Sequence, residues 1–250
     1  MIDTHCHLED YENLDEIVSN MGKNLMIASA TNKETCEFVL KTIQKYPNVY
    51  GTLGIHPENI EESIEETLTY IEKNIKNPKI VAIGEIGLDY YWTKENKEKQ
   101  QEIFRKQLLL AKKYHKPVVI HCREAVQDTY NILKEVNFSE KIVLHCYSSS
   151  IEMAYKFMEF PVMFGIGGVV TFKNSHKIKE FVKEMDLNYL LLETDSPYLT
   201  PEPYRGKTNE PYNIYYVALK IAEIKGIKVE EVFHTTTRNA IHQFDIDVEL

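Results

Sequence analysis

No stretch of this chain approaches the ~18 consecutive apolar residues that a membrane span needs, so the sequence predicts no membrane partner. The opening residues, Met1-Ile-Asp-Thr-His-Cys-His, lack the charged region and apolar core of a signal peptide, and the expectation is a soluble, cytoplasmic protein. Cysteine is scarce, at four in 250 residues, and three of the four (Cys6, Cys122, Cys146) stand directly beside histidines. That is unlike the dense disulfide framework of a small secreted scaffold and predicts reduced thiols. Basic charge is in deficit: 29 Lys and Arg against 38 Asp and Glu leave a formal charge of −9. A protein that coats nucleic acid non-specifically is thereby excluded, because that affinity comes from many cationic side chains displacing counterions. An enzyme gripping one phosphate through metal ions is not. Also missing are a Pro/Gly/Ser-rich linker, a low-complexity tract and an internal repeat. One domain over residues 1–250 is the simplest partition, and no long appendage suggests an obligate protein partner.

What is present is an ordinary globular composition, 43% hydrophobic and 27% charged, in a chain long enough to bury a large core. Short apolar runs recur at 1–6, 25–29, 49–55, 80–83, 117–120, 142–144, 162–166 and 190–192. Runs of this length, rich in Val and Ile, suit a parallel sheet covered on both faces. Amphipathic stretches lie between them. In 61–76, Ile64, Leu68, Ile71 and Ile75 make one apolar stripe, with Glu61, Glu62, Glu65 and Glu66 early and Lys73 and Lys76 late, as the helix dipole favours. A second helix is expected over about 93–115, with Phe104, Leu108 and Ala111 on one face and Lys116-Pro117 as its stop. Eight β–α alternations in 250 residues fit a (β/α)8 TIM barrel better than an open doubly wound sheet. The Pro-dense segment 196–211 reads as a long loop after the eighth strand.

Five of nine histidines (His5, His7, His56, His121, His145) fall at the C-terminal ends of expected strands, the face on which barrel enzymes build active sites. His5 and His7 are two apart on a strand and project from one face, as a chelating pair would; an isolated pair of this kind is equally a pair of packed core histidines. Other polar residues at strand ends tip the balance: Glu85 after strand four and Asp195 after strand eight converge on the same mouth. Burying several ionisable groups in one apolar-walled cavity is costly unless they bind cations. Four imidazoles and two carboxylates exceed one tetrahedral ion and divide into two sites bridged by a carboxylate, for which Glu85 is best placed. Cys6, Cys122 and Cys146 are expected to turn outward as small buried groups. Glu193 and Asp89 are as readily structural as ligating, and His115, His176, His234 and His242 read as surface or packing residues.

Assembled in chain order, Asp3-Thr-His-Cys-His7, Gly54-Ile-His-Pro57, Gly84-Glu-Ile-Gly-Leu-Asp-Tyr90, Pro117-Val-Val-Ile-His-Cys-Arg123, His145-Cys-Tyr-Ser148, Glu193-Thr-Asp-Ser-Pro-Tyr198 and Arg205-Gly-Lys-Thr-Asn-Glu-Pro211 resemble the TatD family of metal-dependent deoxyribonucleases. The resemblance implies a TIM barrel of the amidohydrolase kind and a divalent-metal hydrolase acting on DNA from the 3′ end. It makes His5, His7, Glu85 and Asp195 ligands of one ion and Glu85, His121 and His145 ligands of a second. One departure is Ser149 where the family more often has Gly, which bears on the shape of the loop after strand six.

The expected chemistry is phosphodiester hydrolysis with Asp195 and Glu85 as the catalytic carboxylates, Asp195 orienting or deprotonating the attacking water. Arg123, Arg205 and Lys207 are candidate phosphate contacts, His56 and Tyr90 are further candidates for substrate binding, and Tyr90, Tyr91 and Trp92 could stack on bases of single-stranded DNA ends. Four imidazoles suit Zn²⁺, while Mn²⁺ or Mg²⁺ suits a carboxylate-bridged phosphodiesterase. Two alternatives stand beside this reading. One is an amide or ester hydrolase on the same centre, acting on a cyclic amide or an aminoacyl ester on tRNA; typical binuclear amidohydrolases bridge their ions with a carboxylated lysine at strand four, and Glu85 in that place favours the nuclease. The other is a non-catalytic metal-binding scaffold.

Overall fold

Every apolar run becomes a strand of one parallel sheet. A computed structural model describes residues 1–60, 63–93 and 95–248, with strands β1 Ile2–Cys6, β2 Leu25–Ser29, β3 Val49–Leu53, β4 Ile80–Asp89, β5 Val118–Arg123, β6 Ile142–Leu144, β7 Val162–Ile166 and β8 Leu190–Leu192 hydrogen-bonded in chain order. The ring closes where β1 meets the residues just after β8. Asp195 N donates to His5 O at 3.0 Å, and His7 N donates to Ser196 O at 2.7 Å. This is the expected TIM barrel.

Helices α1 Leu14–Asn20, α2 Lys33–Lys45, α3 Ile64–Asn74, α4 Lys97–Tyr114, α5 Val126–Glu135, α6 Ile151–Phe157 and α7 His176–Glu184 follow the first seven strands, and α8 Ile214–Lys225 and α9 Val229–Phe244 end the chain. Local chemistry sets their limits. Asn32 caps α2 by accepting from Thr35 N, while Asn32 N donates in return to the Thr35 hydroxyl oxygen. Glu61 and Glu62 of the expected α3 segment, and Lys94 near the start expected for α4, lie outside the described residues. The stop of α4 comes at His115, in left-handed conformation at φ 52°, ahead of Pro117. Among the described residues no helix is long and apolar enough to cross a membrane.

The barrel floor is one apolar layer with a residue from every strand: Ile2, Ile27, Tyr50, Val81, Val119, Val143, Met163 and Leu191. Ala240 and Phe244 of α9, with Ile246 beyond it, pack against that layer, so the last helix plugs the bottom and leaves the top open for chemistry.

Two strands differ from expectation in a way that shapes the site. β4 continues six residues past Ile83 and β5 three past Ile120, so Glu85 stands within β4, not at its end. Between the pairs Ile83–Val118 and Ile86–Ile120, β4 carries one residue more than β5, a bulge that falls on Gly84-Glu85. β1 has a similar extra residue between the pairs Asp3–Met26 and Cys6–Ala28, where His5 sits. Bulges re-aim side chains, and here both fall beside ionisable groups. Beyond the β4 bulge the strand passes so close to β5 that a Cβ on Gly87 would stand 2.0 Å from His121 O, at a φ of 140° that favours glycine.

Candidate metal centre

Glu85 lies at the middle of the barrel mouth, 2% exposed, and its two oxygens face two different groups of imidazoles. Oε2 is 3.2 Å from His5 Nε2 and 3.7 Å from His7 Nε2. Oε1 is 2.9 Å from His145 Nε2, 3.0 Å from His121 Nδ1 and 3.5 Å from His56 Nε2. Asp195 joins the first group, with Oδ1 3.4 Å from His7 Nε2 and 3.7 Å from His5 Nε2. The structure thus brings together all six residues that the sequence pointed to, in a bridged arrangement. His145 stacks on His5 with ring centroids 3.9 Å apart, within reach of both groups.

The donor set fits divalent cations. Ligand atoms of His5, His7 and Glu85, of His5, His145 and Asp195, and of His56, Glu85 and His121 each lie within 4.8 Å of one another. His56 differs in kind from the other four. Its Nδ1 accepts from Glu58 N at 3.2 Å, so its Nε2 presents an N–H, a donor and not a lone pair.

The electrostatics show a centre in need of positive charge. Burial would push the Glu85 carboxyl up, but the imidazoles of His145, His5 and His56 and the hydrogen bond with His121 outweigh it and hold it well below the usual range. Burial likewise opposes ionisation of Asp195, and the bond with His7 and the charges of His145 and His5 bring it down. In return, burial notwithstanding, the carboxylates Glu85 and Glu193 hold the His145 imidazole well above its ordinary value, and Asp195 and Glu9 do the same for His7. Only His5, buried and next to His145, is pushed down. Protons do here what cations would do better, since one divalent ion satisfies several lone pairs at once.

Several residues that support this centre carried little or no sequence signal. Asp3, fully buried, accepts from Thr194 N at 2.9 Å, from the Thr194 hydroxyl and from His5 N at 3.3 Å. It clasps β1 to the segment that bears Asp195. Asp195 itself is left-handed at φ 54°, a conformation that short polar side chains tolerate best. Ser29 Oγ meets His5 Nδ1 at 3.1 Å. The alternation of Asp3 with His5 and His7 is the one local clue; the partners Thr194 and Ser29 are set by through-space neighbours.

The centre forms the floor of a cavity of about 770 Å³, whose walls include Glu9, Asp10, Glu58, Trp92, Arg123 and Tyr198. Arg123 ends β5 with its guanidinium 3.7 Å over the Tyr91 ring and 5.5 Å from the Trp92 ring. Tyr91 and Trp92 are 50% and 66% exposed. Tyr90 does not rim the mouth as expected. It is 5% exposed and its hydroxyl bonds Asp128 and Gln101, because the chain turns after Asp89 and points this ring toward α4 and α5. Arg205 and Lys207 are exposed but stand apart from the cavity walls, stacked on Phe172 and Tyr204 respectively. Cys6 is buried as expected, yet Cys122 and Cys146 are only half-buried and line the cavity. In the loop after β6, the left-handed residue is Cys146, φ 45°, and not Ser149, so the missing glycine costs that loop no backbone conformation. His115, His176, His234 and His242 are exposed, away from the mouth.

Comparison with known proteins agrees with this architecture. The model of the TatD related DNase family matches residues 2–245. The chain is 40% identical to the uncharacterized metal-dependent hydrolase YabD of Bacillus subtilis, covering 99% of this chain and 100% of that protein. It is 36% identical to the uncharacterized metal-dependent hydrolase YcfH of Escherichia coli K12, over 99% and 96% of the two chains. Among solved structures, YjjV, a TatD homolog from Escherichia coli K12, superposes with a TM-score of 0.90 at 29% identity, covering 98% of each chain.

Proposed function

This chain belongs to the TatD related DNase family, and from that premise we propose that it is a metal-dependent deoxyribonuclease that removes nucleotides from single-stranded 3′ ends. The observation that carries this reading is the joining, in one cavity, of the Glu85-bridged cluster with Arg123 and the exposed ring of Trp92, the exposed ring of Tyr91 lying against the same guanidinium. A cluster that holds cations suits many hydrolases. A guanidinium beside flat, exposed rings suits a substrate that alternates phosphate and base.

His5, His7, Glu85 and Asp195 would hold one divalent ion, Zn²⁺, Mn²⁺ or Mg²⁺, and Glu85, His121 and His145 a second. Such a pair supplies Lewis acidity that activates water and neutralises charge on the phosphoryl oxygens. The remaining work falls to the chain's own groups. Asp195, kept ionised by His7, His145 and His5, orients the attacking water and takes its proton. His56 offers its Nε2–H to a phosphoryl oxygen or leaving oxygen. Arg123 holds a phosphate of the incoming strand, its two parallel donors matched to two oxygens, and Trp92 supports a base without reading its identity. Arg123 is the one basic side chain on a wall that also carries Glu9, Asp10 and Glu58, so on a protein of charge −9 phosphate binding would rest on Arg123 and the bound cations.

The test is digestion of single-stranded DNA labelled at either end by metal-stripped protein given Mg²⁺, Mn²⁺ or Zn²⁺, beside a Glu85→Ala control. Stepwise loss from the 3′ end, absent in the control, supports the proposal. Loss from the 5′ end corrects its polarity, and no cleavage with any metal overturns it in favour of a carbonyl substrate.

A further inference from the structure

Each of the four imidazoles read as metal ligands has a second nitrogen directed away from the centre, and those outer nitrogens are not treated alike. His5 Nδ1 meets the neutral hydroxyl of Ser29 at 3.1 Å, and His7 Nδ1 stands 3.6 Å from Glu9 Oε1. His121 Nε2 is 2.8 Å from Asp89 Oδ2, and His145 Nδ1, buried and without a hydrogen-bond partner among the described residues, faces Glu193 Oε1 at 3.5 Å. Asp89 and Glu193 are 2% and 0% exposed, so two of the three imidazoles on the Oε1 side of Glu85, His121 and His145, are backed by buried carboxylates, while the outer nitrogen of His56 accepts from Glu58 N.

Neither carboxylate is explained by packing. Glu193 Oε1 also accepts from Cys146 N at 2.6 Å, but its Oε2 is buried and lacks a hydrogen-bond partner among the described residues. An apolar side chain would fill that place at lower cost. The fold instead keeps room for the charge: a Cβ on Gly165 would stand 2.0 Å from Glu193 Oε2. Asp89 is likewise held in place, its Oδ1 accepting from Tyr91 N at 2.9 Å while Oδ2 is directed at His121.

We infer that Asp89 and Glu193 are positioning residues for the second ion of the pair, outer carboxylates that fix His121 to present Nδ1 and His145 to present Nε2 beside Glu85 Oε1. A carboxylate behind a ligating imidazole takes the outer N–H, sets the tautomer and ring orientation, and makes the inner nitrogen a better donor. The opposite choice of nitrogen on the two rings follows from which side each carboxylate occupies. On the side of the first ion, His5 is backed by the neutral Ser29 hydroxyl, and the carboxylate behind His7, Glu9, is 17% exposed where Glu193 is fully buried. This inference rests on the two-ion reading above.

The test uses the full-length, metal-stripped protein and titration with Mn²⁺ and Zn²⁺ followed by calorimetry, which is blind to substrate. Wild-type protein takes up two ions in two steps. Glu193→Gln and Asp89→Asn each leave one step unchanged and weaken the other about 10- to 100-fold. Equal weakening of both steps, as from a general loss of fold, or no change in either step, overturns the inference. Nitrogen NMR of the imidazoles in Zn²⁺-loaded wild type gives an answer without any variant: protons on His121 Nε2 and His145 Nδ1 are expected, and the reverse pattern overturns it. A wild type that binds fewer than two ions removes the two-ion reading itself, whereas two ions with no DNA cleavage leave this inference standing and remove only the substrate.

Discussion

Gly165 Cα faces the Glu193 carboxylate so closely that a methyl group there would stand 2.0 Å from Oε2. The contact crosses from β7 to the segment after β8, so a side chain at position 165 requires the Glu193 carboxylate to move. Gly165→Ala therefore acts on the metal centre without touching a ligand. The strand persists, the carboxylate is driven off His145, and overpacking costs about 1–3 kcal/mol. Thermal unfolding and metal titration of this variant should show a lowered Tm together with weakened uptake of one ion. Wild-type values for both would mean that Glu193 has room to move.

Metal removal should cost stability as well as activity. A ligand present at 100 times its Kd adds about 2.7 kcal/mol, which for a chain of this size corresponds to roughly 5–10 °C in Tm. EDTA-treated protein should melt lower by that amount and recover when Zn²⁺ or Mn²⁺ is restored. In Glu85→Ala the recovery should vanish, since both groups of imidazoles lose their shared carboxylate. A full metal-induced shift in that variant would count against Glu85 as the bridge.

The stability of the stripped protein should fall as pH rises above about 6.5. His7, His145 and His121 are held above that ordinary value, in each case because neighbouring carboxylates outweigh burial, and His5 alone is held below it. A raised folded pKa contributes stability that is complete below the unfolded value and disappears as pH climbs through the folded one. Three imidazoles against one set the net sign. With cations bound in place of protons the decline should be absent, so the gap in Tm between loaded and stripped protein widens from pH 6 to pH 9. A gap independent of pH would contradict it.

Asp195→Asn keeps the size of the side chain and leaves the backbone bond to His5 O intact, so the fold should persist. Turnover should drop by about 10²- to 10⁴-fold, the range for losing a positioned proton acceptor. Single-turnover rates across pH measure this directly. Near-wild-type turnover would remove Asp195 from the proposed chemistry.

At the rim, Trp92→Ala should raise KM for single-stranded DNA roughly 10- to 100-fold, as expected for one lost stacking platform, with kcat little changed. Arg123→Ala should raise KM too and reduce the slope of log KM against log salt by about 0.7, one phosphate contact on a single strand. Arg205→Ala and Lys207→Ala, off the cavity wall, should leave both quantities unaltered.

By itself the sequence determined the barrel and the membership of its centre. Continuous apolar runs report burial on both faces of a strand, and eight of them alternating with amphipathic segments leave few other folds. The strand ends then place His5, His7, His121, His145 and Asp195 at one mouth whatever the details of packing. Tertiary structure decided what depends on neighbours far apart in the chain. The bulges at His5 and Glu85 come from register against β2 and β5. The groups facing the outer ring nitrogens of His5, His121 and His145 are Ser29, Asp89 and Glu193, 24 to 48 residues away. Asp3 finds Thr194 across 191 positions. Tyr90, Tyr91 and Trp92 are equivalent by sequence, yet one is buried and two are exposed, because the turn after β4 sets the direction of each ring. Local periodicity carries which face a residue occupies. It holds no information about which polar atom will stand across from it, and at this centre that partner sets the chemistry.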